Sequence, residues 1–236
     1  MKIGVINSNT GNVENVKKSL KYLGYIPIMV EEKKQLFNLS HLIIPGVGSF
    51  PKMMEFFEKN AIGEVLTDYS KYNLKILGIC LGMQMAVIEY ARNILKIEDA
   101  NSTEMDEQTK NPVIDIMESQ KNITQMGGTM RLGAWDCELV EGSLIHQVYG
   151  KTKISERHRH RYEYNNKFKE RLEEAGLVNS GINPQTGLVE VVELPNHPWF
   201  IGVQYHPEYK STVKSPHPLF ISFVKAAKEY AKKRKK

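Results

Sequence analysis

Apolar residues along this chain gather in short runs, and the spacing within the runs alternates between two periods. KIGVINS, near the start, is apolar with β-branched residues. In the NTGNVENVKKSLKYLG that follows, Val13, Val16, Leu20 and Leu23 recur at helical spacing up to Gly24. That pattern predicts a strand, a glycine-containing turn and a helix. YIPIMV predicts a second strand, and LSHLIIPGVGSF a third that runs into a glycine-rich turn. PKMMEFFEKNAIGEVLTDYSKY reads as helical, LKILGIC as a further buried strand, and GMQMAVIEYARNIL as the helix after it. Strands alternating with helices predict an α/β fold with a mostly parallel central sheet flanked by helices.

The pattern changes after residue 96. EDANSTEMDEQTKNPVIDIMESQKNITQMGGTM is polar without a clear period, which predicts a long ordered loop region with short elements. Beyond it, short strands (WDCELV, GLVEVVELP, WFIGVQYH) alternate with helices near KFKERLEEAG and PLFISFVKAAKEYAKK. No repeat or low-complexity linker divides the chain, so residues 1–236 read as a single domain.

Composition narrows the function classes. The chain is 41% hydrophobic and 25% charged, which fits a packed globular core. No apolar run approaches the roughly 20 residues needed to span a bilayer, and the start lacks a signal-peptide core, so a cytoplasmic protein is expected. The net charge of +5 does not point to nucleic acid, because residues 227–236 hold six Lys or Arg against one Glu and supply the whole excess. That segment reads as a basic helix end or tail. Two cysteines, Cys80 and Cys137, are too few for a disulfide framework or a four-cysteine zinc site, and no metal site is expected.

Cys80 sits in GICLG, a G-x-C-x-G segment on a strand-turn-helix pattern. A buried structural thiol is one reading. The other is the cysteine form of a nucleophile elbow, in which a sharp turn lifts the nucleophile above the sheet edge. Placed at a helix N-terminus, Cys80 would meet a partial positive charge that favours a thiolate, and the Leu81 N–H would be one oxyanion donor. Cys137, alternating with apolar residues in AWDCELV, reads as a buried structural thiol.

A thiolate nucleophile calls for a histidine base, and the chain has seven histidines. His158 and His160 lie in ERHRHRYE, His197 and His217 precede prolines in expected turns, and His41 and His146 read as structural. His206 ends the apolar strand WFIGVQYH with Glu208 two residues on. Strand C-termini are where open α/β sheets place their sites, so Cys80, His206 and Glu208 are the candidate triad.

With those residues identified, the chain resembles a family. GICLGMQ followed by QYHPE looks like the class I glutamine amidotransferases. From about residue 77 to about residue 230 it is similar to the glutaminase domain of CTP synthase, in LGICLGMQMAVIEYARN, DANSTE, NPVIDIM, GGTMRLGAW, ERHRHRYEYN, LVEVVELPNHPWFIGVQYHPE and PHPLF. The resemblance implies that Cys80 attacks the amide of L-glutamine, giving a glutamyl thioester and ammonia. It also implies that His206 shuttles protons and Glu208 holds His206. Gln84, Glu104 and Arg161 match positions that bind the substrate's polar groups; a carboxylate suits an ammonium, and a guanidinium suits a carboxylate.

Residues 1–76 differ: IGVINSNTGNVENVKKSLKYLGY and LIIPGVGSF look more like the glutaminase subunit of imidazole glycerol phosphate synthase. The two resemblances together make the chain a candidate hybrid or chimera. In either family the turn Gly46-Val47-Gly48 supplies the second oxyanion donor, here the Val47 N–H. A β-branched residue flips its peptide less readily than glycine. Gly48 stands where CTP synthase has a phenylalanine covering the glutamine.

The chain has no G-x-x-x-x-G-K-[ST] loop and no second catalytic domain. The resemblance therefore implies a glutaminase that hands ammonia to a synthetase for UTP to CTP conversion, with GTP as an effector and no cofactor of its own. The alternatives are a subunit feeding an imidazole glycerol phosphate cyclase, or a catalytically weak regulatory or assembly module.

Overall fold

The computed structural model describes residues 2–8, 13–46, 48–116, 130–212 and 214–233. The N-terminal part runs β1 (Ile3–Ile6), α1 (Glu14–Tyr22), β2 (Ile28–Val30), β3 (His41–Ile44), α2 (Phe50–Asn60), α3 (Gly63–Thr67), α4 (Tyr69–Tyr72), β4 (Lys75–Ile79) and α5 (Leu81–Asn93). Then come β5 (Asn101–Ser102), β6 (Pro112–Ile116), β7 (Arg131–Leu139), α6 (Leu144–Tyr149), β8 (Lys153–His160) and β9 (Tyr162–Tyr164). The chain continues through α7 (Lys169–Glu174), β10 (Val178–Ile182), β11 (Val189–Glu193), β12 (Phe200–Val203) and α8 (Pro218–Lys233).

Nine strands form one sheet in the order β2-β1-β3-β4-β12-β11-β10-β7-β8. Neighbours from β2 to β12 pair in parallel, whereas every pairing from β12 to β8 is antiparallel. The expected parallel sheet is thus one half of a mixed sheet, and that half carries the candidate nucleophile and base. β5, β6 and β9 form a small separate sheet.

The parallel strands are apolar throughout because both faces are covered. Ile6, Leu42, Ile44 and Ile76 point to one side, packing with Phe50, Met53 and Phe57 of α2 and Met83 and Val87 of α5. Ile3, Val5, Ile43 and Leu77 point to the other, against Val16 and Leu20 of α1, Ile145 of α6 and Phe220 and Phe223 of α8. Period-two alternation with apolar residues on both sides gives a three-layer sandwich.

Two differences from the sequence reading have local causes. The helical stretch PKMMEFFEKNAIGEVLTDYSKY is divided into three helices, breaks that the sequence reading did not place. Ala61 turns left-handed at φ 48°, its N–H closing onto Glu58 and Phe57 carbonyls, and the chain breaks again at Asp68. β8, absent from the sequence reading, alternates exposed and buried residues, but three of its four buried positions are polar: Glu156, His158 and His160. Parts of the polar stretch after residue 96 form β5 and β6; residues 117–129 of it lie outside the described residues. No helix among the described residues is long and apolar enough to cross a membrane.

Candidate active site

The site is built where the C-terminal ends of β3, β4 and β12 lie side by side. β12 pairs with β4 in parallel, Val203 opposite Ile79, so the residues following each emerge at one edge. Cys80 follows Ile79, and its N–H donates to the Val203 carbonyl at 2.7 Å. His206 and Glu208 follow Val203. On the other flank of β4, β3 runs out into Pro45 and Gly46.

The elbow at Cys80 is strained: this non-glycine residue holds φ 47° and ψ −106°, at a cost of about 1–3 kcal/mol that the surroundings must offset. Glycines allow those surroundings to close in. A Cβ on Gly46 would lie 2.5 Å from Cys80 Cβ, and one on Gly82 would lie 2.0 Å from the Ile44 carbonyl oxygen. Gly46 and Gly82 therefore serve close approach of backbone to backbone, while Cys80 itself makes the reversal. Leu81 opens α5, so its N–H lies outside the helical hydrogen-bond ladder and is free in principle to meet an oxyanion. Gly48 holds φ 126°, a region open to glycine. Val47, the expected second donor, lies outside the described residues.

His206 is buried, and its Nδ1 lies 2.7 Å from Glu208 Oε1. Its Nε2 is buried without a hydrogen bond of good geometry. Burial works against the imidazolium, but the Cys80 sulfur, followed by the Glu208 carboxylate, outweighs it and pushes the His206 pKa up to about 11. The Tyr209 ring stacks on His206 at 4.7 Å. A cysteine, a histidine and a carboxylate thus stand in the order that activates a thiol.

A cavity of about 290 Å³ opens onto Cys80 and is lined also by Gly46, Gly48, Leu81, Gln84, Glu104 and Arg161. Every expected substrate-binding residue therefore faces one space with the nucleophile. Glu104 reaches solvent at its mouth; partial burial raises its pKa and Arg161 pulls it back. Gln84 is buried, with its Nε2 donating to the Tyr162 carbonyl at 2.8 Å and to Gln204 Oε1 at 3.3 Å. Gln204, to which the sequence reading gave no role, donates to Cys80 Sγ at 3.6 Å. It lies in the QYHPE motif directly after β12, and that position was its only signal. A larger opening of about 550 Å³, lined by Lys18, Arg157, Tyr209 and Thr212, lies across Glu208 and does not include Cys80.

The other histidines fall away from this role. Burial holds the His158 and His160 pKa values down to about 2 and about 3 respectively, helped by the nearby Arg131 and His206 charges. His41 is fully buried against Phe223. Cys137 is buried, and burial, with the carboxylates near it, pushes its thiol pKa far up.

This arrangement agrees with a known family: the description "Glutamine amidotransferase class-I" matches residues 4–226. The chain belongs to the class I glutamine amidotransferases. CTP synthase of Christiangramia forsetii is 63% identical over 204 residues, covering 84% of this chain and 36% of that protein. CTP synthase of Flavobacterium johnsoniae is 66% identical over 206 residues, covering 86% of this chain and 36% of that protein. The domain therefore spans little more than a third of the length of these curated relatives. Among solved structures, the glutaminase domain of Trypanosoma brucei CTPS with bound acivicin has a TM-score of 0.83 at 29% identity, covering 97% of this chain and 94% of that one. The match at 84% coverage reaches into residues 1–76, where the sequence resembles the cyclase-linked family, and a hybrid origin is not shown.

Beside the cavity the amidotransferase domain buries an ionic cluster. Arg131 on β7 contacts Glu163 of β9 at 3.4 Å and bonds Glu190 of β11, while His158 lies 3.7 Å from Glu190 and His160 lies 3.4 Å from Glu163. Burial pushes the Glu163 pKa from 4.5 up to about 8; Arg131 opposes the shift and Glu190 adds to it. A carboxyl that binds its proton more tightly when folded loses that advantage as pH rises, so it lowers stability through to about pH 8. His158 and His160, whose protons bind better in the unfolded chain, act oppositely below their ordinary 6.5, so the fall is read between pH 6.5 and 8, where His206, held up to about 11, lowers stability in the same direction. Urea midpoints of the parent are expected to fall across that window, and Glu163→Gln is expected to reduce the slope to the part that His206 leaves; an unchanged slope would contradict the assignment.

Proposed function

We propose that this domain hydrolyses L-glutamine through a thioester on Cys80 and supplies ammonia to a synthetase that converts UTP to CTP. Cys80 Sγ adds to the side-chain amide carbon, and the oxyanion meets the Leu81 N–H together with that of Val47. His206 passes a proton to the amide nitrogen, the C–N bond breaks, and ammonia leaves the glutamyl thioester. Water then attacks the thioester, giving its proton to His206, and the C–S bond breaks to release glutamate. Glu208 keeps the imidazole oriented and stabilises its charge. Arg161 takes the substrate carboxylate and Glu104 its ammonium. Gln84, with its amide nitrogen committed inward, has its oxygen to offer the ammonium.

The observation that supports the reading is the β4–β12 register, which brings Cys80 and the segment leading to His206 and Glu208 to one edge of the sheet, where Cys80 opens onto the cavity shared with Gln84, Glu104 and Arg161. High identity to CTP synthases supports the UTP-directed partner. The cyclase alternative rests on residues 1–76, a segment into which the CTP synthase match extends. GTP is proposed as an effector on the same family grounds.

The test is glutamate release by this chain, alone and mixed with the synthetase portion of a CTP synthase, with and without GTP. Release that rises with that partner and GTP, and CTP formed from glutamine in the mixture, are the expected results. Release that neither partner nor GTP changes would overturn the UTP-directed assignment. No release in any mixture would favour the regulatory or assembly module.

A further inference from the structure

The turn that carries His206 and Glu208 is gripped from behind by one buried carboxylate. Glu156, on β8, is 3% exposed. Its Oε1 accepts from the Tyr149 hydroxyl at 3.0 Å and lies 3.1 Å from His217 Nε2. The Tyr149 hydroxyl lies 3.2 Å from that of Tyr205, the fully buried residue just before His206. On the far side of the turn, Glu156 Oε2 faces the Lys210 ammonium at 3.7 Å. That ammonium also donates to the Ser155 carbonyl at 2.5 Å. Tyr205 and Lys210 bracket the segment 206–209, so one end of the turn is linked to Glu156 through the Tyr149 hydroxyl and the other by a longer ion pair from a half-exposed lysine. The His206 N–H donates to the carbonyl of Arg157, the residue next to Glu156, at 2.8 Å.

Stability alone is a poor account of this arrangement. A buried carboxylate loses its hydration, and apolar groups of the same shape often serve folding equally well. What a polar bracket adds is direction: its hydrogen bonds fix angles that apolar packing leaves loose. Pro207 holds one backbone torsion of the turn and the stacked Tyr209 ring limits tilt of the imidazole. Neither fixes where the turn sits against β8.

We propose that Glu156 is a positioning residue for the catalytic histidine, holding the His206 turn through Tyr149–Tyr205 on one side and Lys210 on the other. The proposal rests on the reading of His206 as the proton shuttle. Glu156 touches neither substrate nor reacting atoms, so its removal acts on turnover and spares binding.

The test compares Glu156→Ala, Glu156→Gln, Tyr149→Phe and His206→Ala for kcat and KM toward glutamine, normalised to sites titrated by a glutamine-analogue electrophile. The downfield proton resonance of the His206 Nδ1–H is followed alongside. Glu156→Ala is expected to lower kcat about 10- to 100-fold, the scale of a misplacement near 1 Å, with KM unchanged and the His206 resonance shifted. Glu156→Gln keeps an acceptor for Tyr149 and should recover part of kcat. Should Glu156→Ala fail to fold, Tyr149→Phe carries the same expectation at the Tyr205 end. Unchanged kcat, or a lowered kcat with an unmoved His206 resonance, would overturn the proposal. Full glutamate release by His206→Ala would instead overturn the reading beneath it.

Discussion

Cys80→Ala is expected to remove glutamate release almost entirely, by about 10⁶-fold, as when the nucleophile of a triad is deleted. Without sulfur no acyl intermediate forms, and the residual rate belongs to water attacking a bound amide. His206→Ala should cost less, about 10²–10⁴-fold, the range of a lost general acid-base. Combining the two should add little beyond Cys80→Ala, because residues that act as one unit do not add. Cys137 is buried on β7 away from the cavity, and Cys137→Ser should leave kcat intact. The measurement is glutamate formed under saturating glutamine. If Cys80→Ala kept a tenth of parent turnover, the thioester account would fail.

Gly82→Ala is expected to give the largest structural loss of any single methyl addition near the site. The new Cβ would lie 2.0 Å from the Ile44 carbonyl oxygen and 2.8 Å from its carbon. Both are backbone atoms of β3, whose hydrogen bonds to β1 and β4 leave no room to retreat. Either α5 lifts from the sheet or the strand ladder opens. A loss of about 3 kcal/mol, at the upper end for overpacking, should appear as a lower urea midpoint. Gly133→Ala is the control: Gly133 holds φ +85° with nothing within 4 Å of its would-be Cβ, so only the left-handed backbone cost of about 1–2 kcal/mol applies. Equal losses in the two variants would refute the close-approach explanation.

How much of this was legible in the sequence depended on what each segment buries. β1, β3, β4 and β12 are covered on both faces, so each reads as an apolar run and its strand is plain. The elbow followed, because a buried strand ending in G-x-C-x-G before a helical pattern has few other readings. β8 escaped because hydrophobic periodicity assumes that inward residues are apolar, and here His158 and His160 turn inward to meet each other, Glu190 and Glu163, while Glu156 meets Tyr149 and His217. The break at Ala61 escaped although Gly63 stands two residues on, because the left-handed residue itself is an alanine; α2 ends by its last carbonyls capturing the Ala61 and Ile62 N–H groups. Gln204 and Glu156 stood inside recognised motifs, yet their partners come from β4, α5, α6 and the start of α8, distances no local pattern spans.

The central claim is that Cys80 is the sulfur that bonds to the glutamine carbon, and covalent capture tests it most directly. The protein would be treated with a glutamine-analogue electrophile, with and without excess glutamine, then digested and mapped by mass. The account predicts one adduct per chain, on Cys80, suppressed by glutamine and absent in Cys80→Ala. An adduct on Cys137, or steady glutamate release from protein whose Cys80 remains unlabelled, would contradict it.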